Sequence, residues 1–179
     1  MNKLVVISGP SGVGKGTIAK KLIERNENMT LSISCTTRNP REGELNGREY
    51  FFISKEEFVD KIKNNGFLEY SEHFENYYGT PKDFVLEKLK EKTVILEIDV
   101  NGGLLVKENM PNALLIMILP PSLEEIKNRL IKRNTETLDK IEKRMQRIEF
   151  ELSKKDKYDY LVVNDDLNLA IEEIENILK

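Results

Sequence analysis

The 179-residue sequence has little of several residues on which whole classes of protein depend. Its single cysteine, Cys35, cannot form an internal disulfide, which excludes a small secreted scaffold of paired cysteines. It has no tryptophan and one histidine, His73, so neither a histidine metal cluster nor a Ser-His-Asp set is predicted. We expect Cys35 to be a small packed side chain and His73 to lie on the surface of a strand.

Long apolar runs and a strong excess of one charge are also missing. No segment is apolar for long enough to span a bilayer, and Met1–Lys3 lead into an apolar run without the layout of a signal peptide. The 28 basic and 31 acidic residues leave a net charge of −3, with no basic stripe for nucleic acid. We therefore expect a single cytoplasmic domain that binds neither membranes nor nucleic acid.

What the sequence does have is an alternation of short apolar runs and amphipathic segments. This alternation predicts an α/β fold with a central parallel sheet flanked by helices. The predicted strands are Lys3–Ser8, Leu31–Cys35, Tyr50–Ile53, Thr93–Asp99, Leu114–Leu119 and Tyr160–Val163, with further β structure over Phe67–Tyr78. Helices are predicted over Thr17–Arg25, after the Ser54/Glu57 and Ser122/Glu125 capping boxes, from Lys82 behind Thr80-Pro81, along Ile141–Leu152, and over Leu167–Leu178.

A glycine-rich loop connects the first predicted strand to the first helix. It contains the pattern G-x-x-x-x-G-K in the segment Gly9-Pro10-Ser11-Gly12-Val13-Gly14-Lys15-Gly16-Thr17. Glycines let backbone N–H groups turn toward phosphates, and the following helix adds its positive end. Lys15 supplies a charge for the β- and γ-phosphates, so the segment predicts an ATP site; the alternative is a plain glycine turn.

The loop departs from the usual pattern directly after its lysine. The hydroxyl residue that normally binds Mg²⁺ there is replaced by Gly16, and Thr17 follows. We therefore predict no direct protein ligand for the metal. Mg²⁺ would enter with ATP and complete its coordination with water, near Thr17 or Asp99.

A second segment carries two arginines, Arg38 and Arg41, on a loop that follows a strand. Arginine forks suit a phosphate dianion, although a solvated basic loop is the alternative. Residues 34–50 read S-C-T-T-R-x-P-R-x-G-E-x-x-G-x-x-Y, which resembles the GMP-binding segment of guanylate kinases. Further similar segments follow in the family's order over residues 67–70, 76–80, 96–99, 133–137 and 163–166, so that the resemblance covers essentially the whole chain.

The resemblance implies an ATP:GMP phosphotransferase with a P-loop nucleoside triphosphate hydrolase fold, which would also use dGMP. It implies a core at about 1–33, 82–124 and 155–179, a β-rich GMP-binding lobe at about 34–81 and a helical lid at about 125–154. The GMP-binding residues that it implies are Ser34, Arg38, Arg41, Tyr50, Glu69, Tyr78, Thr80, Glu97 and Asp99. A carboxylate at Glu69 would accept hydrogen bonds from the N1–H and amino group of guanine and discriminate against adenine.

Some implied roles stay open at this point. Glu97 and Asp99 would contact guanine, or Asp99 would lie near Mg²⁺, or both are ordinary acids at a strand end. Arg133 and Arg144, with Arg129 as a further candidate, resemble lid arginines, whereas Arg147 resembles a solvated helix residue. Asn164 and Asp165 resemble the segment beside the adenine of ATP, although Asp165 or Asp166 could simply cap the last helix.

The implied reaction is an in-line transfer without a general base, because the acceptor phosphate is already ionised. Lys15, Arg38, Arg133, Arg144 and Mg²⁺ would share the developing charge. Two rivals remain: a small P-loop kinase for AMP, dTMP or a sugar phosphate, and a scaffold-type module that binds phosphopeptides. The intact Gly14-Lys15 pair speaks against the scaffold module.

Overall fold

A computed structural model of the chain describes residues 2–73, 75–132 and 138–179, apart from the side chains of residues 129, 130, 132 and 138. The strands are β1 (Leu4–Ser8), β2 (Met29–Leu31), β3 (Cys35–Thr36), β4 (Phe51–Phe52), β5 (Phe67–His73), β6 (Asn76–Pro81), β7 (Thr93–Glu97), β8 (Leu114–Leu119) and β9 (Tyr160–Val163). The helices are α1 (Lys15–Arg25), α2 (Lys55–Lys63), α3 (Lys82–Leu89), α4 (Val100–Asn109), α5 (Leu123–Lys132), α6 (Leu138–Leu152) and α7 (Leu167–Leu178), with a 3₁₀ turn at Lys155–Lys157. None of the helices described here combines the length and apolar character that crossing a bilayer requires.

A five-stranded parallel sheet in the order β2-β7-β1-β8-β9 forms the centre of the molecule. All five residues of β1 are buried, as an apolar strand covered on both faces should be. One face of the sheet packs with α1 and α7, through residues such as Ile18 and Ile171. The other face packs with α3 and α4, through Val85 and Val106. The α/β fold class predicted from the sequence is confirmed.

A second sheet of four short strands, in the order β4-β3-β6-β5, lies beside the first. Its core is aromatic: Phe58 of α2 is fully buried and stacks on Phe67 and Tyr77, with ring centroids 4.3 and 5.2 Å apart. The predicted capping box holds the start of α2, because Ser54 and Glu57 each accept from the other's backbone N–H.

Helices α5 and α6 pack against each other around a small cluster of their own. Its buried members are Ile126, Ile141, Met145 and Ile148, three of which are the periodic apolar positions predicted for α6. The Ser122 hydroxyl accepts from Glu125 N at 3.0 Å and caps α5 as predicted. Residues 133–137 lie outside the described residues.

Several boundaries differ from the sequence prediction, and α4 is a helix that the sequence pattern did not predict. The strand predicted over Leu31–Cys35 divides in two, because Ser32 N still bonds to Ile95 O of the central sheet, whereas Ser34 O accepts from Phe51 N of the second sheet. The strand predicted to end at Asp99 ends at Glu97, and Asp99 instead caps α4.

The start of α3 also differs in detail from the prediction. The helix begins at Lys82, but Pro81 is its N-cap rather than its first residue. Thr80 does not cap the helix, since its hydroxyl donates to Glu69.

The packing of α4 against the sheet generates a stability prediction. A Cβ on Gly103 would lie 2.4 Å from Tyr158 Oη, a hydroxyl that is itself fixed by donating to Val100 O at 3.0 Å. We expect Gly103→Ala to lower the free energy of unfolding by about 1–3 kcal/mol, because the clash outweighs the helix preference of alanine. Urea unfolding measures this effect.

A double-mutant cycle with Tyr158→Phe identifies the cause, because the phenylalanine lacks the clashing hydroxyl. Part of the loss should be recovered when Gly103→Ala is made in that background. Equal losses in the two backgrounds would assign the effect to another contact.

Candidate nucleotide-binding site

The loop between β1 and α1 is shaped by two close backbone approaches. Gly9 has φ 149°, and a Cβ there would lie 2.4 Å from Ile118 O of β8. Gly14 has φ 101°, and a Cβ there would lie 2.6 Å from Asn164 Nδ2. Both positions combine a left-handed backbone with no room for a side chain, so glycine is required at each. The loop then runs directly into α1 at Lys15, and the positive end of that helix faces it.

The Lys15 side chain folds back over the loop that precedes it. Its Nζ donates to Gly9 O at 2.7 Å and to Pro10 O at 3.1 Å. Burial lowers the pKa of Lys15, an effect that the nearby carboxylate of Glu97 opposes. The ammonium group is therefore held against the loop by carbonyl oxygens.

A cavity of about 630 Å³ opens above this loop. Its walls come from the loop, from the end of β7 and from α6. They are formed by Gly9, Ser11, Gly12, Gly14–Thr17, Glu97, Ile98, Asp99, Arg144, Arg147, Ile148 and Glu151. Arg144 lies near the loop, with Nη2 3.4 Å from Ser11 Oγ. The predicted residue Arg133 lies outside the described residues, and so does the side chain of Arg129.

Glu97 explains the glycine that follows the lysine. A Cβ on Gly16 would lie 3.3 Å from both carboxylate oxygens of Glu97. A serine or threonine at this position would therefore crowd the carboxylate, and its hydroxyl would compete for the same space. Thr17, one residue further on, also lines the cavity. The end of β7 thus places a carboxylate where the usual loop has a hydroxyl.

The segment after β9 also contacts the loop. Asn164 Nδ2 donates to Val13 O at 2.8 Å, which fixes Asn164 against the loop backbone. Asp165 is exposed, and the helix-capping role falls to Asp166, whose carboxylate accepts from Asn168 N and Leu169 N. The sequence alternative of a capping aspartate is therefore correct for Asp166.

On the second sheet, Arg38 is held by a carboxylate that sequence reasoning did not single out. Both terminal nitrogens of Arg38 donate to Glu44, at 3.0 and 2.9 Å, and Glu44 also accepts from Arg41 N at 2.7 Å. The Glu44 hydrogen bond raises the pKa of Arg38, and Arg38 in turn lowers the pKa of the Glu44 carboxyl. Glu44 therefore fixes both the guanidinium of Arg38 and the loop that carries Arg41.

Two tyrosines predicted to share a ligand with these arginines do lie together. Tyr50 and Tyr78 pack edge to face with ring centroids 6.0 Å apart, and the Arg38 guanidinium lies 5.6 Å from the Tyr50 ring centroid. Burial raises the pKa of Tyr50, so its phenol stays protonated and can donate. The second sheet therefore assembles a cation and two phenols, donors that suit a phosphate dianion.

Glu69 is a buried carboxyl group, with 9% of its surface exposed. Its Oε1 accepts from Thr80 Oγ1 across the β5–β6 pair at 2.6 Å, and a Cβ on Gly102 would lie 3.1 Å from its Oε2. Burial raises the pKa of Glu69 to about 7, an effect that the Thr80 hydrogen bond opposes. The group is therefore poised between its neutral and ionised forms near neutral pH.

Asp99 connects the two parts of the site. Its Oδ1 accepts from Gly102 N at 2.8 Å and caps α4, while its Oδ2 lies 3.9 Å from His73 Nε2. His73, expected on a strand surface, is therefore half exposed but faces the site. A sequence pattern cannot show this proximity, because the two residues are far apart in sequence and come close through the packing of α4 on β5.

A second cavity, of about 340 Å³, adjoins the first. The predicted residues Ser34, Tyr50, Thr80 and Glu97 line it together with Leu31, Ser32, Arg48, Glu49, Leu96 and Ile98. Glu97 lines both cavities and lies at their junction. Sequence reasoning missed Ser32, Arg48 and Glu49 here, and Glu151 in the first cavity.

Cys35, as predicted, is a packed side chain on the opposite side of the second sheet. It is 3% exposed, and burial raises the pKa of its thiol to about 11. A thiol that stays protonated at neutral pH is a poor nucleophile, so Cys35 contributes packing rather than chemistry.

Comparison with known proteins places this arrangement in a family. The family model described as guanylate kinase matches residues 1–179. A guanylate kinase of Clostridium tetani is 56% identical over 176 residues, which cover 98% of this chain and 84% of that protein. A guanylate kinase of Caldanaerobacter subterraneus is 52% identical over the same length, covering 98% and 85%.

A solved structure agrees with these relatives. The crystal structure of guanylate kinase from Anaplasma phagocytophilum matches with a TM-score of 0.75 and 33% identity, covering 99% of this chain and 84% of that one. The family match covers the whole chain, including the glycine loop, the paired arginines and the buried Glu69. This chain belongs to the guanylate kinase family.

Proposed function

We propose that this protein transfers the γ-phosphoryl group of ATP to GMP, giving ADP and GDP, and that it also accepts dGMP. Members of its family are ATP:GMP phosphotransferases. The observation that carries the proposal is the pair of adjoining cavities that share Glu97, one above the phosphate loop and one walled by Ser34, Tyr50 and Thr80.

Recognition of the guanine base would depend on Glu69. An ionised carboxylate accepts from the N1–H and amino group of guanine, whereas adenine presents an acceptor at N1 and would leave a buried group unpaired. Thr80 holds one oxygen of Glu69 and thereby fixes the direction of the carboxylate. Ser34 and Thr80 would contact the O6 side of the base, where Ser34 would be the donor to O6 as long as the Thr80 proton goes to Glu69. Asp99 or Glu97 would contact the amino group of guanine.

The phosphate of the acceptor would bind to Arg38, Arg41, Tyr50 and Tyr78. Glu44 holds Arg38 in place before any ligand arrives, so less conformational entropy is lost on binding. The acceptor phosphate is ionised at neutral pH and needs no general base. Its oxygen would attack the γ-phosphorus in line, and the bridging oxygen would leave on ADP.

The donor would bind along the phosphate loop, Gly9–Thr17, with Lys15 exchanging its two carbonyl partners for phosphate oxygens. Arg144 lies on the same cavity, and Arg133 would join it as a further cation. Together with Arg38, these groups would stabilise the charge that spreads over the transferred phosphoryl group. Asn164 would support the loop near the adenine, with Asp165 beside it.

The site fits Mg²⁺ that arrives with ATP. Within the described part of the chain, no cluster of three His, Cys, Asp or Glu side chains could cage an ion. The hydroxyl of Thr17 and the carboxylates of Glu97 and Asp99 nevertheless line the phosphate cavity, and such oxygens are the ligands that Mg²⁺ prefers, directly or through water. The ion would neutralise charge on the β- and γ-phosphates.

We further propose that the chain divides into a core (1–33, 82–124 and 155–179), a GMP-binding lobe (34–81) and a lid (125–154). The lobe coincides with the second sheet and α2, and the lid with α5 and α6 and their separate apolar cluster. Closing both would exclude water, which otherwise hydrolyses ATP. A cytoplasmic location suits these substrates.

A panel of acceptors tests the proposed activity. In a coupled assay of ADP release, we expect turnover with GMP and dGMP and little with AMP or dTMP, because only guanine satisfies Glu69. Preferential use of AMP, dTMP or a sugar phosphate would contradict the assignment in favour of another small kinase.

The role of Glu69 is tested by replacing it. We expect Glu69→Ala to lower kcat/KM for GMP by at least about a hundredfold, because two charge-assisted hydrogen bonds to the base are lost. The KM for ATP should change by less than about threefold. Glu72→Ala removes an exposed carboxylate from the same strand and serves as the matched control. Normal GMP turnover by Glu69→Ala would refute the proposed base recognition.

The raised pKa of Glu69 also predicts how stability depends on pH. Because the folded-state pKa of about 7 exceeds the ordinary value of 4.5, the folded state binds more protons between these values, and stability falls as pH rises through this window. Between pH 4.5 and pH 8, the free energy of unfolding of wild type should therefore fall by about 3 kcal/mol through this group. Glu69→Gln, which cannot titrate, should lack this loss. Urea unfolding at both pH values measures this difference. An equal change in the free energy of unfolding for variant and wild type would contradict the prediction.

A further inference from the structure

Helix α6 presents a second arginine to the phosphate cavity. Arg147 lies one turn beyond Arg144, and both line the cavity together with Ile148 and Glu151. Residues three and four apart share a helix face, so these four form one stripe along α6 that faces the phosphate loop. The sequence pattern indicated that Arg147 is a solvated helix residue; its side chain is indeed exposed, and it also lines this cavity.

Glu151 is more buried than a surface partner of Arg147 would be. Its side chain is 12% exposed, against 64% for Arg147. Its Oε1 accepts from Arg147 Nε at 3.2 Å, whereas its Oε2 is buried and has no hydrogen-bond partner among residues 2–73, 75–132 and 138–179. A carboxylate that is desolvated for one hydrogen bond contributes little to stability, so stability alone does not account for a carboxylate at this place.

The geometry of this ion pair leaves the two terminal nitrogens of the Arg147 guanidinium available to a ligand. Glu151 accepts the hydrogen bond from Nε of Arg147, while the two terminal nitrogens form the fork that matches a phosphate. Within the described part of the chain, Arg147 donates a hydrogen bond from Nε, and its terminal nitrogens donate none. The pair therefore fixes the side chain without occupying the nitrogens that would meet a ligand.

Both residues lie within electrostatic range of Lys15. Burial is the main cause of the lowered pKa of Lys15; Glu151 opposes the shift and Arg147 adds to it. The pair and the lysine therefore act on one another across the same cavity, in the space where the phosphates of a donor would lie.

We propose that Arg147 contacts the phosphate oxygens of the bound nucleoside triphosphate and that Glu151 is its positioning residue. The inference rests on the proposed function, because it assigns Arg147 to the ATP side of the same site. A triphosphate brings several negative charges into a cavity that also holds Glu97 and Asp99, and a further cation offsets the repulsion between them.

The test compares Arg147→Ala with Lys143→Ala. Lys143 is an exposed cation on the same helix that does not line the cavity, so the two variants lose the same charge. We expect Arg147→Ala to raise the Kd for ATP by about tenfold, as for one lost charge-assisted contact, and to leave the Kd for adenosine and the KM for GMP unchanged. Lys143→Ala should match wild type in all three.

Glu151→Gln tests the positioning role. It should raise the Kd for ATP by severalfold in the wild-type background and have no further effect in Arg147→Ala, because the oriented guanidinium is already gone. A tighter ATP complex in Glu151→Gln, or full additivity with Arg147→Ala, would overturn the positioning role. The melting temperature of each variant excludes a loss of fold.

The outcomes separate this inference from the proposed function. If wild type binds ATP and phosphorylates GMP while Arg147→Ala behaves like Lys143→Ala, the contact with Arg147 is refuted and the kinase assignment stands. If wild type neither binds ATP nor uses GMP, the proposed function itself fails.

Discussion

The site depends on the parallel pairing of β1 with β7 and β8. Ile7 pairs with Glu97, and Ser8 pairs with Met117, so the chain leaves β1 for the phosphate loop between two strand ends. Because parallel strands end at the same edge of a sheet, ligands collect at that edge. A shift of register by one residue would turn Glu97 to the other face and remove it from the junction of the two cavities.

The same edge explains the spacing of the loop glycines. Gly9 passes the backbone of β8, and Gly14 passes the side chain that follows β9. The loop is thus confined on two sides by β8 and by the segment after β9, and its glycines are needed because of these neighbours. Lys15 then points back into the space that this confinement creates, and α1 begins there with its first N–H groups free to face an anion.

The sequence predicted the parts that depend on local pattern. The runs of β1 and β8, the capping box of α2 and the bounds of α7 follow from apolar periodicity and from hydrogen bonds three residues apart, and the structure agrees. Residue type likewise predicts roles for the glycine loop, Lys15 and the arginines, since phosphates suit glycine, lysine and arginine, and these roles stay predictions.

The parts that depend on packing between distant segments could not be predicted. The chain switches sheets between Leu31 and Cys35 because each half finds a different partner strand. His73 comes close to Asp99, and Arg147 faces the loop, because separate elements meet. Period and composition do not distinguish a helix face that meets solvent from one that meets a cavity.

These packing contacts give the cations of the site a common property. Lys15 is held by the carbonyls of Gly9 and Pro10, Arg38 by Glu44 and Arg147 by Glu151. In each case an oxygen of the protein orients the cation, which under the proposed function would reduce the reorganisation of the arginines when a phosphate binds. The oxygens differ in what they allow: the two loop carbonyls are neutral and yield to a charged phosphate, whereas the two carboxylates stay paired and keep each guanidinium in place. On the proposed function, the lysine is therefore the group that would move when the donor binds, while each arginine would keep its carboxylate partner.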